Sequence, residues 1–182
     1  YGFVGPNGCG KSVFFKTLCG YSLLTEGQVI YRGKIIGKEQ DFIDDAGIVI
    51  EEPEFINSLS GLENLKILAE IQKKISEAEI IEVLKQFDLY EDRNKKVGKY
   101  SVGMKQKLRL AQAVMEKPQV LILDEPMNGL DKKSVKKVED ILKAFVENGG
   151  TLLMTSHIEQ QVEACCKIVY EIDGGEILRV TD

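Results

Sequence analysis

The spacing of apolar residues changes period along the chain, and each change predicts a different kind of element. Residues 1–4 form a short apolar run that leads into glycines, and residues 13–19 read as a helix closed by Gly20. Positions 28–32 alternate in strand fashion, with Gly27 and Gly33 as turn residues. Positions 46–50 read as a short buried strand ahead of Glu51-Glu52-Pro53. From there the spacing becomes helical. Ser60-Gly61-Leu62-Glu63 is a capping-box signature that opens a helix carrying Leu62, Leu65, Leu68 and Ile71. Ser76-Glu77-Ala78-Glu79 repeats the device ahead of Ile80, Ile81, Leu84 and Phe87. A third helix is expected over 101–116, stopped by Pro118. Strands then return at 120–123 and 151–155, separated by a helix over 132–147 with Val135, Val138, Ile141, Leu142 and Phe145 on one face. A short helix over 158–165 precedes a hairpin, 167–172 with 176–180, about Gly174-Gly175.

Strands alternating with helices predict the α/β class, with a mainly parallel sheet covered by helices on both faces. Residues 1–54 and 118–182 are expected to build that core, with 55–117 as an inserted all-helical subdomain of one 182-residue domain. No internal repeat or low-complexity linker interrupts it.

Composition narrows the function classes. With 43% hydrophobic and 29% charged residues, one sizeable core is expected. A net charge of -5 argues against nonspecific nucleic-acid binding, so no nucleic-acid partner is expected. No apolar run approaches bilayer length, and no secretory leader is visible. The chain opens inside an apparent core strand without an initiator Met, so an upstream portion is expected. Cys9, Cys19, Cys165 and Cys166 contain no C-x-x-C pair, which favours reduced thiols over a disulfide framework or a metal site.

Candidate chemistry begins at Gly5-Pro6-Asn7-Gly8-Cys9-Gly10-Lys11-Ser12, between the first strand and the first helix. Gly5 and Gly10 enclose four residues and are followed by Lys and Ser, the pattern of a nucleotide phosphate loop. Glycines let several backbone N–H groups bend inward onto one anion, and the following helix adds its positive end. Lys11 can reach the outer phosphates, and the Ser12 hydroxyl suits Mg²⁺. Leu121-Ile122-Leu123-Asp124-Glu125-Pro126 is an apolar strand that ends in two acids. Ligands of parallel sheets bind beyond the C-terminal strand ends, so both acids are expected to face the phosphate loop. Asp124 is then placed to hold Mg²⁺, directly or through water, and Glu125 to take a proton from an attacking water. Alone, such a strand end would be as well explained by solvated acids. Lys132, Lys133, Lys136 and Lys137 read as a solvated helix face.

Three further stretches carry a family resemblance. Lys99-Tyr100-Ser101-Val102-Gly103-Met104-Lys105-Gln106-Lys107 resembles the signature sequence of ATP-binding cassette (ABC) ATPases, usually Leu-Ser-Gly-Gly-Gln. Asn128-Gly129-Leu130-Asp131 resembles the family's D-loop, and Thr155-Ser156-His157 its switch histidine. The resemblance runs the whole chain in the family's order. It implies a P-loop NTPase (RecA-like) core that binds ATP and Mg²⁺, with His157 at the γ-phosphate. It also implies that Ser101 and Gly103 act on nucleotide held by a second subunit, in a head-to-tail homodimer or pseudo-dimer. By the same resemblance, integral membrane permease subunits dock on the helical block, at the cytoplasmic face of the membrane. Adenine would stack on an aromatic upstream of the loop, since Tyr1 is too close to it.

The sequence departs from the family at Val102, which replaces the second signature glycine, and in the signature glutamine, which is Lys105 or absent. The family's Q-loop glutamine falls at Glu51, where a carboxylate can bind Mg²⁺ or help align water. The Ile50-Glu51-x-Pro53 pattern resembles exporters of the bacitracin- and lantibiotic-resistance type. Two competing readings are a soluble ABC ATPase acting on the ribosome or nucleic acid and a nucleotide sensor that does not hydrolyse. Tandem cassettes or long coiled-coil insertions would favour the former, and loss of Lys11, Asp124, Glu125 or His157 the latter.

Overall fold

Side chains along the parallel strands of the main sheet alternate between two apolar layers, and that alternation seats the sheet between helices. The computed structural model describes residues 1–51 and 55–180. Among them the strands are β1 (Gly2–Val4), β2 (Ile30–Tyr31), β3 (Lys34–Ile35), β4 (Ala46–Val49), β5 (Val120–Leu123), β6 (Thr151–Thr155), β7 (Val169–Asp173) and β8 (Glu176–Arg179). The helices are α1 (Lys11–Cys19), α2 (Gly61–Gln72), α3 (Glu77–Gln86), α4 (Val102–Val114), α5 (Lys132–Glu147) and α6 (Glu159–Cys165).

Six strands form one sheet in the order β4-β5-β6-β1-β7-β8. Every pairing in it is parallel except the β7–β8 hairpin at the edge. On one face Phe3, Ile122 and Ile172 pack with Phe15 and Cys19 of α1. The Phe3 ring lies 5.1 Å from Phe14, 5.5 Å from Phe15 and 5.6 Å from Tyr170. On the other face Val49, Leu121, Leu123, Leu152 and Met154 merge with Leu65, Leu84, Leu108, Leu142 and Val162 from α2 to α6. Each fully buried leucine there contributes about 1.5–3 kcal/mol relative to its exposed state. Between β4 and β5 the described residues hold only helices α2, α3 and α4, a 3-10 turn at Val97–Lys99, and an isolated bridge between Ser60 and Lys96. Ser60 with Glu63, and Ser76 with Glu79, form complete capping boxes. No helix among the described residues is long and apolar enough to cross a membrane.

Several boundaries differ from the sequence expectation. The strand expected over 28–32 is only Ile30–Tyr31, and it pairs with the unanticipated β3. Arg32 and Gly33 between them both have positive φ, 50° and 80°, which makes the two-residue turn of a tight hairpin. The helix expected over 101–116 is α4, because the Ser101 side chain accepts from the Met104 N–H and so caps the helix from outside it. The short helix expected from position 158 begins at Glu159. Glu52 and Pro53, part of the exporter-like pattern, lie outside the described residues.

Candidate functional site

The loop between β1 and α1 is shaped by glycines. Gly5 has φ 148°, and a Cβ there would sit 2.2 Å from the Ile172 carbonyl oxygen, so the close pass of the loop over β7 excludes a side chain. Gly10 caps α1 in the left-handed region at φ 107°. Lys11 is 6% exposed, and its Nζ donates to the carbonyls of Gly5 at 2.8 Å and Pro6 at 3.1 Å. Cys9 Sγ lies 3.9 Å from the same ammonium. Gly5, Pro6 and Asn7 also line a cavity of about 450 Å³ that Ser156 and His157 close from the other side.

The strand-end acids meet this loop. Ser12 Oγ donates to Asp124 Oδ2 at 2.5 Å, although 112 positions separate them in sequence. Thr155, at the end of β6, donates from Oγ1 to Asp124 Oδ1 at 2.6 Å. The same Thr155 oxygen accepts the Glu125 N–H at 2.9 Å. His157 Nδ1 lies 2.8 Å from Glu125 Oε2. One hydrogen-bonded chain therefore joins Ser12, Asp124, Thr155, Glu125 and His157 across the C-terminal ends of β5 and β6. Glu125 has φ 49°, a left-handed conformation unusual for a residue with a side chain.

Glu51 does not join that chain. Its carboxylate accepts instead from Lys16 Nζ of α1, at 2.5 Å. Ser101 caps α4, and Gly103 in its first turn lies against the loop after β5 rather than the loop of residues 5–12. A Cβ on Gly103 would lie 3.1 Å from the Gly129 carbonyl, and one on Gly129 2.9 Å from Val102 Cγ1. The Asp131 carboxylate caps α5 by accepting the Ser134 N–H, which holds its pKa below the ordinary range. Burial raises the Cys19 and Cys165 thiols to about 12, in keeping with inert reduced cysteines. On the lysine face of α5, Lys136 pairs at the surface with Asp140 at 2.8 Å and Lys137 with Asp88 at 2.5 Å.

Among the described residues no three His, Cys, Asp or Glu side chains converge as a metal cage. The pair Ser12 Oγ and Asp124 Oδ2 nevertheless fits Mg²⁺, which takes hard oxygen ligands, one or two from protein, and completes its shell with phosphates and water.

Sequence reasoning assigned no role to Thr155, Gln106 or Lys16. Thr155 owes its place to strand order, since the pairing Leu123↔Met154 puts it beside Asp124. Gln106 is buried at 5% exposure in α4, an unusual fate for an amide that makes no cap, and Lys16 carries no comparable signal.

Comparison with known proteins adds five findings. The family model described as ABC transporter matches residues 1–128. The chain is 37% identical over 177 residues to the uncharacterized ABC transporter ATP-binding protein YybJ of Bacillus subtilis (strain 168), covering 97% of this chain and 81% of YybJ. It is 34% identical over 178 residues to the lantibiotic transport ATP-binding protein SrtF of Streptococcus pyogenes, covering 98% and 76%. It is 33% identical over 180 residues to the bacitracin transport ATP-binding protein BcrA of Enterococcus faecalis, covering 98% of this chain but 58% of BcrA, so it spans less than two thirds of that longer relative. The dimeric structure of the ATP-binding cassette MJ0796 in a post-hydrolysis state with ADP and Pi matches with TM-score 0.85 at 22% identity, over 100% of this chain and 85% of that one. At that identity the likeness is one of fold.

Proposed function

The chain belongs to the ABC transporter family as an ATP-binding ATPase, and from that premise we propose that it drives export of a peptide antibiotic or similar drug through separate membrane permease subunits. The peptide cargo is supported by the names of SrtF and BcrA, and the proposed place of work is the cytoplasmic face of the membrane. ATP binds on the loop of residues 5–12, with Lys11 turning from the Gly5 and Pro6 carbonyls to the outer phosphates. Ser12 and Asp124 would hold Mg²⁺, which when bound offsets phosphate charge and orients the triphosphate. Glu125 takes the proton of the attacking water, and His157, beside its carboxylate, orients that water against the γ-phosphate.

Two subunits pack head to tail in this reading, as a homodimer or with a second ABC ATPase. The N-terminus of α4, from Ser101 to Gly103, then meets the partner's nucleotide as a positive helix end. Residues 1–54 and 118–182 act as the core and 55–117 as a helical arm, so closure on ATP moves the arm and the permease docked on it. Glu51 lies where the arm leaves β4 and joins in aligning metal or water.

The observation that carries the proposal is the hydrogen-bonded chain from Ser12 through Asp124 and Thr155 to Glu125 and His157. Glu125→Gln in the full-length protein tests it. ATP binding and ATP-dependent dimerisation should persist while phosphate release falls by about 10²–10⁴-fold, the usual contribution of a general base. Turnover near the parent's rate would remove Glu125 from that role.

A further inference from the structure

Helix α4 carries a buried polar side chain that neither the phosphate loop nor the strand-end acids put to use. Gln106 lies in the second turn, five residues after the Ser101 cap and so roughly 7.5 Å further along the helix. Its Nε2 donates to the Pro126 carbonyl at 2.8 Å and reaches the Glu125 carbonyl at 3.4 Å. Its Oε1 accepts from Arg109 Nη1 at 3.0 Å, which fixes which end of the amide faces the acids. The Glu125 carbonyl also accepts the Asn128 N–H at 3.1 Å, closing a turn. The Glu125 peptide is thus held from both sides, its N–H by Thr155 of β6 and its carbonyl by that turn and by α4. Those anchors over-determine the left-handed backbone at Glu125, and the backbone in turn aims the carboxylate at His157.

The first turn of α4 presses on the same loop a second time, where Val102 and Gly103 meet Gly129. The helix end that would meet a nucleotide and the loop that carries the candidate base are therefore in direct contact at two points.

We propose that Gln106 is a positioning residue that transmits the placement of α4's N-terminal turn to Glu125 of the same subunit. The inference rests on the proposed ATPase dimer. In that dimer α4 touches the partner's nucleotide, so Gln106 makes the alignment of one subunit's base depend on the nucleotide in the other site. Arg109 serves the same end by holding the Gln106 amide in register.

Gln106→Met and Gln106→Glu remove the donors while keeping the side-chain length, and steady-state ATP hydrolysis by the full-length protein tests both. The expected result is a kcat lower by about 10–100-fold, the scale of a misplaced catalytic group, with KM for ATP within about threefold of the parent. ATP should still raise the melting temperature of both variants as it does the parent's. A kcat within twofold of the parent's overturns the inference. So does a loss of kcat that runs in proportion to a loss of ATP-induced stabilisation, because that pattern marks packing alone. Glu125→Gln measured alongside separates the two levels. If it hydrolyses normally the ATPase reading of Glu125 fails, whereas a dead Glu125→Gln beside a normal Gln106→Met defeats only the role given to Gln106.

Discussion

Glu51 and Glu125 occupy equivalent places on neighbouring strands and are held in opposite ways. β4 and β5 pair in parallel with Val49 beside Leu123, and each glutamate lies two residues beyond that pair. Both are left-handed, with φ 60° at Glu51 and 49° at Glu125. The Glu125 backbone is gripped by Thr155, Asn128 and Gln106, and its carboxylate meets His157 with the side chain 24% exposed. The Glu51 side chain is 63% exposed and, among the described residues, pairs with Lys16 of α1 alone. The same strand-end geometry therefore supports a fixed acid at one strand and a loosely tethered one at the next. A base that must meet water at a set angle belongs on the fixed strand end. The tethered one lies where the chain leaves β4 for the helices proposed to act as an arm.

The sharpest way to break this contrast is to neutralise the two acids in parallel. Glu51→Gln should keep turnover within about tenfold of the parent, whereas Glu125→Gln removes the full general-base contribution of about 10²–10⁴. Equal losses would erase the distinction between them.

Thr155→Val comes next in size. Thr155 is fully buried and serves Asp124 and the Glu125 N–H with one hydroxyl. Its loss should destabilise the fold by about 1–3 kcal/mol in urea unfolding, the cost of buried groups left without a partner. Unfolding that matched the parent's would mean that the Glu125 backbone is held without it.

Lys16→Met is the smallest change. An exposed pair of this kind contributes about 0–1 kcal/mol, so the melting temperature should hardly move. A large destabilisation would show that Glu51 is anchored as firmly as Glu125.

The contrast also explains what could be read in the sequence. Local rules found the glycine loop between β1 and α1, both capping boxes, the bounds of β5, β6 and α5, and the acids that end β5, because each is written in neighbouring residues. The ABC resemblance predicted a family that the comparisons then matched. Thr155 and Gln106 were out of reach for a physical reason. Their partners lie 31 and 20 positions away, so their value depends on strand order and on the packing of α4 against β4 and the residues that follow β5. Of the β2–β3 hairpin only β2 was anticipated, since β3 is two residues long and leaves almost no periodicity to detect.

The central claim is that the loop serine and the strand-end acids face one metal–nucleotide. Iron(II) substituted for Mg²⁺ in the full-length protein with ATP, followed by ascorbate and peroxide, cuts the backbone beside the metal and so tests it directly. The account predicts two ATP-dependent cuts, near residues 10–13 and 123–126, both suppressed by excess Mg²⁺. Cleavage at only one of these segments, or at neither, would contradict it.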